Sequence, residues 1–236
     1  MKKLIVLSIL LSGSTAMSLS AQPLKRDKDL SLGLQGGYGY GHSKVKRAET
    51  YNFPGYQNKR DSSNLSSEGF ISGAMIEYQQ MLQSEFFYRV NLTYLYSNTK
   101  GKISTTINAG DPITTLVKIK HSYGASLHLG KAFNNVFPFL ILGISTSKIE
   151  SKTDELPRTG FGSASKYRQG IEFGFGTDFY ITPNISIGAQ LSHIEYNKLS
   201  YSLKNNLGQK VANNKIKPKN NKALLRFKYK FNSFIF

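Results

Sequence analysis

Apolar and polar residues alternate at every second position along eight segments of this sequence, and no other feature constrains the fold as strongly. A period of two predicts β-strands that each have one apolar and one polar face. No stretch with a helical period of useful length competes with these segments. They span residues 30–42, 69–79, 85–97, 117–130, 138–148, 168–180, 185–196 and 224–231.

The links between these strands alternate between short and long. Short turns at one rim and long loops at the other are typical of an up-and-down barrel in an outer membrane. Loops of such length would count against a compact soluble domain. We therefore predict an all-β fold, an eight-stranded antiparallel transmembrane β-barrel with short periplasmic turns and four long extracellular loops. The short links lie near 80–84, 131–136 and 182–184, and the long ones over 43–68, 98–115, 149–166 and 197–222.

Aromatic residues lie near both ends of the predicted strands. The third strand begins with Phe86 and Tyr88 and ends with Tyr94 and Tyr96, with aliphatic residues between them. Two aromatic belts around an aliphatic band match the two interfaces of a membrane. The alternative is a soluble, periplasmic, lipocalin-like ligand carrier with its apolar face turned inward. The belts, and the frequent glycines on the polar faces, favour the membrane barrel.

The N-terminus has the pattern of a secretory signal peptide. Lys2 and Lys3 precede an apolar run over residues 4–11, which is too short to span a bilayer, and small residues follow. We predict a signal peptide over residues 1–21 and an outer-membrane β-barrel domain over residues 22–236. The sequence contains no cysteine, so we expect neither a lipidated cysteine nor a disulfide framework.

Several motifs together resemble those of known proteins. They are the glycine-rich alternating strands, "PFLILGIS" at 138–145, "ITPNISIGAQLSH" at 181–193 and the aromatic last strand. With the signal peptide, they resemble the small outer-membrane β-barrels of the opacity-protein-like and outer-membrane-protein-A/X-like families. The resemblance implies localisation in the outer membrane of a Gram-negative bacterium. Those families include adhesins, structural anchors, narrow channels and a minority of enzymes, so the resemblance leaves the activity open.

If the apolar strand faces meet lipid, the polar faces fill the barrel lumen. Charges in such an interior are costly unless they are paired. We predict a structural network of salt bridges that plugs the lumen, because eight strands enclose a space that side chains can fill. The alternative is a narrow porin-like channel lined by the same groups. The predicted network comprises Glu77, Arg89, Glu172, Asp178, Arg226, Lys228 and Lys230.

The chain carries a net charge of +17, and the long link over 197–222 contains lysines but neither Asp nor Glu. Lysines near an anionic membrane surface gain on the order of 1 kcal/mol each. We predict that this loop contacts lipopolysaccharide or host-surface polyanions; a solvated, mobile loop is the alternative. Export argues against nucleic acid as a partner. The predicted contact residues are Lys198, Lys204, Lys210, Lys215, Lys217, Lys219 and Lys222.

The histidines do not form a catalytic or metal-binding pattern. Small-barrel lipid A deacylases use a His and a Ser two positions apart on one strand face, whereas Ile194 and Glu195 follow His193. No metal-ligand spacing, P-loop or dinucleotide-binding motif occurs in the sequence. We therefore predict a non-enzymatic, monomeric surface protein without a cofactor, which anchors its basic loop outside the membrane.

The last strand closes on an aromatic residue, which resembles the signal that the outer-membrane insertion machinery recognises. Its apolar phase ends at Phe231, but five residues follow, and Phe236 lies in the opposite phase. A bulge or a frayed tail after Phe231 is therefore expected. The predicted insertion signal, which makes the insertion machinery a predicted partner, comprises Phe227, Tyr229, Phe231 and Phe236.

Overall fold

The computed structural model describes residues 28–49, 60–107, 111–155, 161–204, 208 and 210–231, which form a closed ring of antiparallel strands. A short 3-10 turn over Gln83–Glu85 joins the second strand to the third. The predicted signal peptide and Phe236 lie outside the described residues. The strands are β1 (Lys28–Glu49), β2 (Arg60–Met81), β3 (Phe86–Ile107), β4 (Asp111–Lys131), β5 (Val136–Glu155), β6 (Phe161–Tyr180), β7 (Ile185–Tyr196), β8 (Leu199–Lys204) and β9 (Lys210–Phe231).

Nine strand segments occupy eight positions in the ring. From β1 to β7 each strand pairs with the next along the chain, and β9 closes the ring on β1. β7 and β8 both pair with β9 and are separated only by Asn197 and Lys198. The predicted eight-stranded antiparallel barrel is therefore confirmed. No helix in the described part of the chain is long and apolar enough to cross a membrane.

The strands extend far into the segments that were predicted as long loops, and those loop boundaries were wrong. β1 continues to Glu49 and β2 begins at Arg60, so their link is 50–59 instead of 43–68. The other long links shrink to 108–110, 156–160 and 205–209. Seven of the nine strands have 20 to 22 residues, about twice the 9–11 residues that cross a bilayer. The upper part of the barrel therefore stands outside the membrane.

We call this upper part the extension; it comprises residues 42–49, 60–67, 98–107, 111–120, 147–155, 161–169, 195–204 and 210–220. Below it, large apolar side chains point outward and are exposed, as at Leu34 (65%), Leu140 (65%) and Leu225 (68%). Within the extension the pattern reverses, because Val45 and Ile216 are buried inside while lysines point out. Lipid surrounds the lower part and water surrounds the extension, which explains the reversal.

Candidate functional site

Five charged side chains from four strands meet in the lumen, and each is at most 1% exposed. Lys228 Nζ lies 2.6 Å from Glu77 Oε1 and 2.7 Å from Asp178 Oδ2, so it bridges the two carboxylates. Arg226 Nη2 lies 2.5 Å from Glu77 Oε2, and Arg89 donates to Asp178. These five residues, which we call the ionic cluster, combine three cations with two carboxylates.

Aromatic and amide side chains surround the arginines of the ionic cluster. The Arg89 guanidinium lies 4.3 Å from the centre of the Phe87 ring, and that of Arg226 lies 5.1 Å from the centre of the Phe139 ring. Arg89 Nε also donates a hydrogen bond of 2.6 Å to Gln79. Cation–π contacts and charge-assisted hydrogen bonds offset part of the cost of removing these charges from water.

Two separate ion pairs lie above and below the ionic cluster. Lys222 Nζ lies 2.7 Å from Glu172 on the extracellular side, and Lys230 pairs with Asp29 near the periplasmic rim. The structure thus places all seven predicted lumen residues inside, but divides them among three groups instead of one. Lys222 was predicted in the basic loop, and this was wrong: it is 5% exposed because it shares the inward phase of β9 with Arg226.

Sequence reasoning missed two members of the lumen, Asp29 and His128. His128 stacks on Phe139 with 4.7 Å between ring centres, and its Nδ1 lies 3.7 Å from Glu77. The alternation of residues along β1 and β4 could have placed both residues inside. Asp29 shares the inward phase of β1 with Ser31, and His128 lies in the polar phase of β4. Phase predicts which face a residue occupies, but it does not predict the partner.

Apolar residues close the lumen on both sides of the ionic cluster. A lower layer near the periplasmic rim contains Phe87, Phe137, Phe139 and Tyr180. A small middle layer, formed by Ile71, Leu95 and Leu224, lies on the extracellular side. An upper layer fills the interior of the extension. It is formed by Val45, Leu65, Val117, Ile119, Ile149, Ala164, Ile194, Tyr196, Leu199 and Ile216.

Glycines on inward positions leave room for the large side chains of the lumen. A Cβ atom on Gly188 would lie 2.0 Å from Oδ1 of Asp178. One on Gly33 would lie 2.6 Å from the terminal methyl of Met75 and 3.0 Å from Cγ of Lys228. No side chain fits at such distances, so these glycines are required by the ionic cluster that they face.

The outer wall of the extension is rich in lysine. Cross-strand neighbours place Lys44 of β1 beside Lys217 of β9, and Lys46 beside Lys215. The outward carboxylates described on this wall and its lower edge are Glu68, Glu150, Asp154 and Glu195. We call eleven outward lysines of the extension the cationic collar; they are Lys44, Lys46, Lys100, Lys102, Lys118, Lys120, Lys148, Lys152, Lys215, Lys217 and Lys219.

The lysines predicted in a flexible loop lie mostly on strands. Lys198 occupies the short break before β8, Lys204 ends β8, and Lys210 begins β9, with the side chain of Lys210 outside the described atoms. The loop prediction was wrong because the segment alternates inward apolar with outward cationic residues. Lys215, Lys217 and Lys219 therefore stand in a fixed row on β9 and point outward.

Some collar lysines pair with carboxylates. Lys120 Nζ lies 3.0 Å from Glu150 Oε2, and this bond lowers the pKa of the Glu150 carboxyl, which stands beyond the apolar band. Lys217 Nζ lies 3.2 Å from Glu195, to which Lys219 also donates. Each of these carboxylates has at least two lysine neighbours, so the collar keeps an excess of positive charge.

One histidine stands on the outer wall just below the collar. His193 Nδ1 lies 2.6 Å from Asn221 Oδ1. Along β7 its outward neighbours are Leu191 and Glu195, and its neighbour on β6 is Phe173. None of these residues carries a hydroxyl or thiol group. Among the described residues, no group of three or more His, Cys, Asp and Glu side chains could hold a metal ion.

The sequence match decides the family. Residues 11–231 match the family described as the outer membrane protein beta-barrel domain. The chain belongs to this family. Membership places the protein among outer-membrane barrels, in agreement with the outward apolar band. It also excludes the soluble ligand carrier that was the alternative from the sequence.

Solved structures of other outer-membrane proteins resemble this chain. The outer membrane protease OmpT from Escherichia coli is 9% identical, covering 86% of this chain and 97% of that chain with a TM-score of 0.52. The outer membrane protein OprG from Pseudomonas aeruginosa is 12% identical, covering 88% and 98% with a TM-score of 0.52. The attachment invasion locus protein Ail of Yersinia pestis is 13% identical, covering 84% and 98% with a TM-score of 0.37. No curated protein sequence matches.

Proposed function

We propose that the protein is a closed, non-enzymatic outer-membrane barrel whose cationic collar binds polyanions at the cell surface. The observation that carries this proposal is the collar itself: among the side chains that the structure describes on this wall, its eleven lysines outnumber the four outward carboxylates. The polyanions with the right chemistry are lipopolysaccharide phosphates and the sulfated or phosphorylated polymers of a host surface. Each lysine near such a surface contributes on the order of 1 kcal/mol.

The rigidity of the collar supports binding. Flexible loops lose conformational freedom when a ligand orders them, and this loss weakens affinity. Lys215, Lys217 and Lys219 belong instead to β9, which is hydrogen-bonded to β1 on one edge and to β7 and β8 on the other. Neighbouring strands lie about 4.8 Å apart and alternate residues about 6.8 Å apart. The lysines thus form a regular array that can meet several anionic groups at once.

The first prediction concerns these lysines on β9. Changing Lys215, Lys217 and Lys219 together to Gln should weaken binding of heparin, used as a soluble polyanion, by about 10- to 100-fold. The protein would be held in zwitterionic nanodiscs and binding measured by surface plasmon resonance. Binding by the parent protein should also weaken steeply as salt is raised, because exposed charges are screened.

A variant changed at the periplasmic rim distinguishes the effect of the collar on binding from the effect of net charge. Lys28 and Lys131 lie at the opposite rim, and changing both to Gln removes charge of the same kind without altering the collar. This variant should bind heparin within about twofold of the parent protein, since exposed charges further apart than a Debye length of about 10 Å are screened. Equal weakening in the two variants would refute the collar as the binding surface.

The second prediction concerns conduction. Apolar layers lie on both sides of the ionic cluster, and its five charged side chains form ion pairs with one another. We therefore expect no reproducible open state when the purified protein is inserted into planar bilayers. A stable, voltage-independent conductance would overturn the closed-barrel part of the proposal and support the narrow channel.

A further inference from the structure

An apolar groove runs along the lipid-facing wall beneath the collar. Its volume is about 470 Å³, within the range of roughly 300–1,000 Å³ that is common for small-molecule sites. Tyr38 and Tyr40 of β1 form one side, and Phe173 and Phe175 of β6 form the other. Ala223 on β9 and Leu191 on β7 lie between the two sides, and the small side chain of Ala223 leaves the groove open.

The residues along this wall change from apolar to charged in successive rungs of the ladder. In the lowest rung, Tyr38, Ala223, Leu191 and Phe175 are cross-strand neighbours. The next rung joins Tyr40, Asn221, His193 and Phe173. The third joins His42, Lys219, Glu195 and Ile171, and the fourth brings Lys44 beside Lys217. Alternate residues are about 6.8 Å apart, so the whole change takes about 20 Å along the strands.

The order of these rungs matches the order of groups in one kind of molecule. A hydrocarbon chain fits the groove, where only apolar surface is offered. Hydrogen-bonding groups at the head of the chain fit the rung of His193 and Asn221, which carry donors and acceptors. A phosphate fits the rungs above, where Lys44, Lys217 and Lys219 stand on adjacent strands and outnumber Glu195, the carboxylate that Lys217 and Lys219 contact. Lysine binds phosphate as a point charge, so no planar geometry is required.

We propose that this groove and the lysines above it form a specific site for one phosphorylated, acylated glycolipid of the outer leaflet. The inference rests on the proposed polyanion binding and deepens it, because it assigns a particular part of the collar to a membrane lipid instead of a soluble polymer. One acyl chain lies between the aromatic side chains, and the sugar-bound phosphate contacts the lysines of β1 and β9.

The test uses the full-length protein in detergent and measures lipid binding by native mass spectrometry. The probes are diphosphorylated lipid A and the same lipid A without its phosphates. Ala223→Leu fills the groove without touching the lumen, since Ala223 is exposed on the outer wall. We expect this variant to bind diphosphorylated lipid A at least about tenfold more weakly, which corresponds to about 1.4 kcal/mol, and to retain heparin binding.

The matched control is Ala74→Leu, which makes the same change at an outward position on β2, away from the groove. It should bind lipid A as the parent protein does. Equal binding by Ala223→Leu and the parent would refute the groove while leaving the collar intact. Equal binding of lipid A with and without phosphates would refute the role of the lysines. Unchanged heparin binding after Lys215, Lys217 and Lys219 are changed to Gln would instead refute the proposed function.

Discussion

Replacing Glu77 with Gln is expected to lower the free energy of unfolding by about 3–5 kcal/mol, because it leaves buried cations without their partner. Glu77 lies within hydrogen-bonding distance of both Arg226 and Lys228, and all three are buried. In the variant the three cations of the ionic cluster share Asp178 alone. Urea titration of the protein in detergent, followed by the gel shift between folded and boiled protein, measures the loss.

The matched control is Glu150→Gln, which removes an ion pair from the outer wall of the extension. That pair is partly exposed, so its loss should cost less than about 1 kcal/mol. Adding Lys228→Met to Glu77→Gln removes the surplus cation and should recover at least about 1 kcal/mol. If Glu77→Gln and Glu150→Gln were equally stable, the ionic cluster would not hold the barrel together.

Replacing Gly188 with Val is expected to destabilise the barrel by about 3 kcal/mol or more, or to prevent folding. The new Cβ would lie 2.0 Å from Oδ1 of Asp178 and 2.7 Å from the backbone oxygen of Thr177. Asp178 would have to leave its place between Arg89 and Lys228. The same urea titration and gel shift measure the effect.

Gly36→Val is the control for β-propensity and size. Gly36 lies on the outer wall, and a Cβ there would have its nearest neighbour 3.7 Å away, which is an ordinary contact. Valine suits a lipid-facing strand, so stability should change by less than about 1 kcal/mol. A similar loss in both variants would mean that backbone freedom, and not the space around Asp178, explains these glycines.

The alternation of residues predicted the membrane half of the barrel well. On β9 it places Leu225, Phe227 and Tyr229 outward, and the structure has all three between 47% and 68% exposed. It also places Arg226 inside, where a charge must find a partner. These assignments follow from local phase alone, because each strand there has lipid on one side and the lumen on the other.

The extension could not be predicted by the same reasoning, because its polar face is outside. Its lysine- and serine-rich composition is that of a loop, and its apolar residues are fewer. A β-bulge between Ile119 and Ser122 adds to the difficulty. Ile119 is buried inside whereas Tyr123, in the same sequence phase, is exposed outside. A single strand thus changes face without any break in its alternation.

The register of each strand is fixed because lipid surrounds the lower part of the barrel and water surrounds the extension. A shift of β9 by one residue against β1 would turn Arg226 toward lipid and Ile216 toward water, since such a shift exchanges the faces. A shift by two residues keeps the faces but moves the boundary between the halves along the barrel. It would bring collar lysines toward the hydrocarbon or leave Leu225 nearer to water. When β1 and β9 meet during assembly, only one alignment satisfies both halves, so the closing seam discriminates against misaligned barrels.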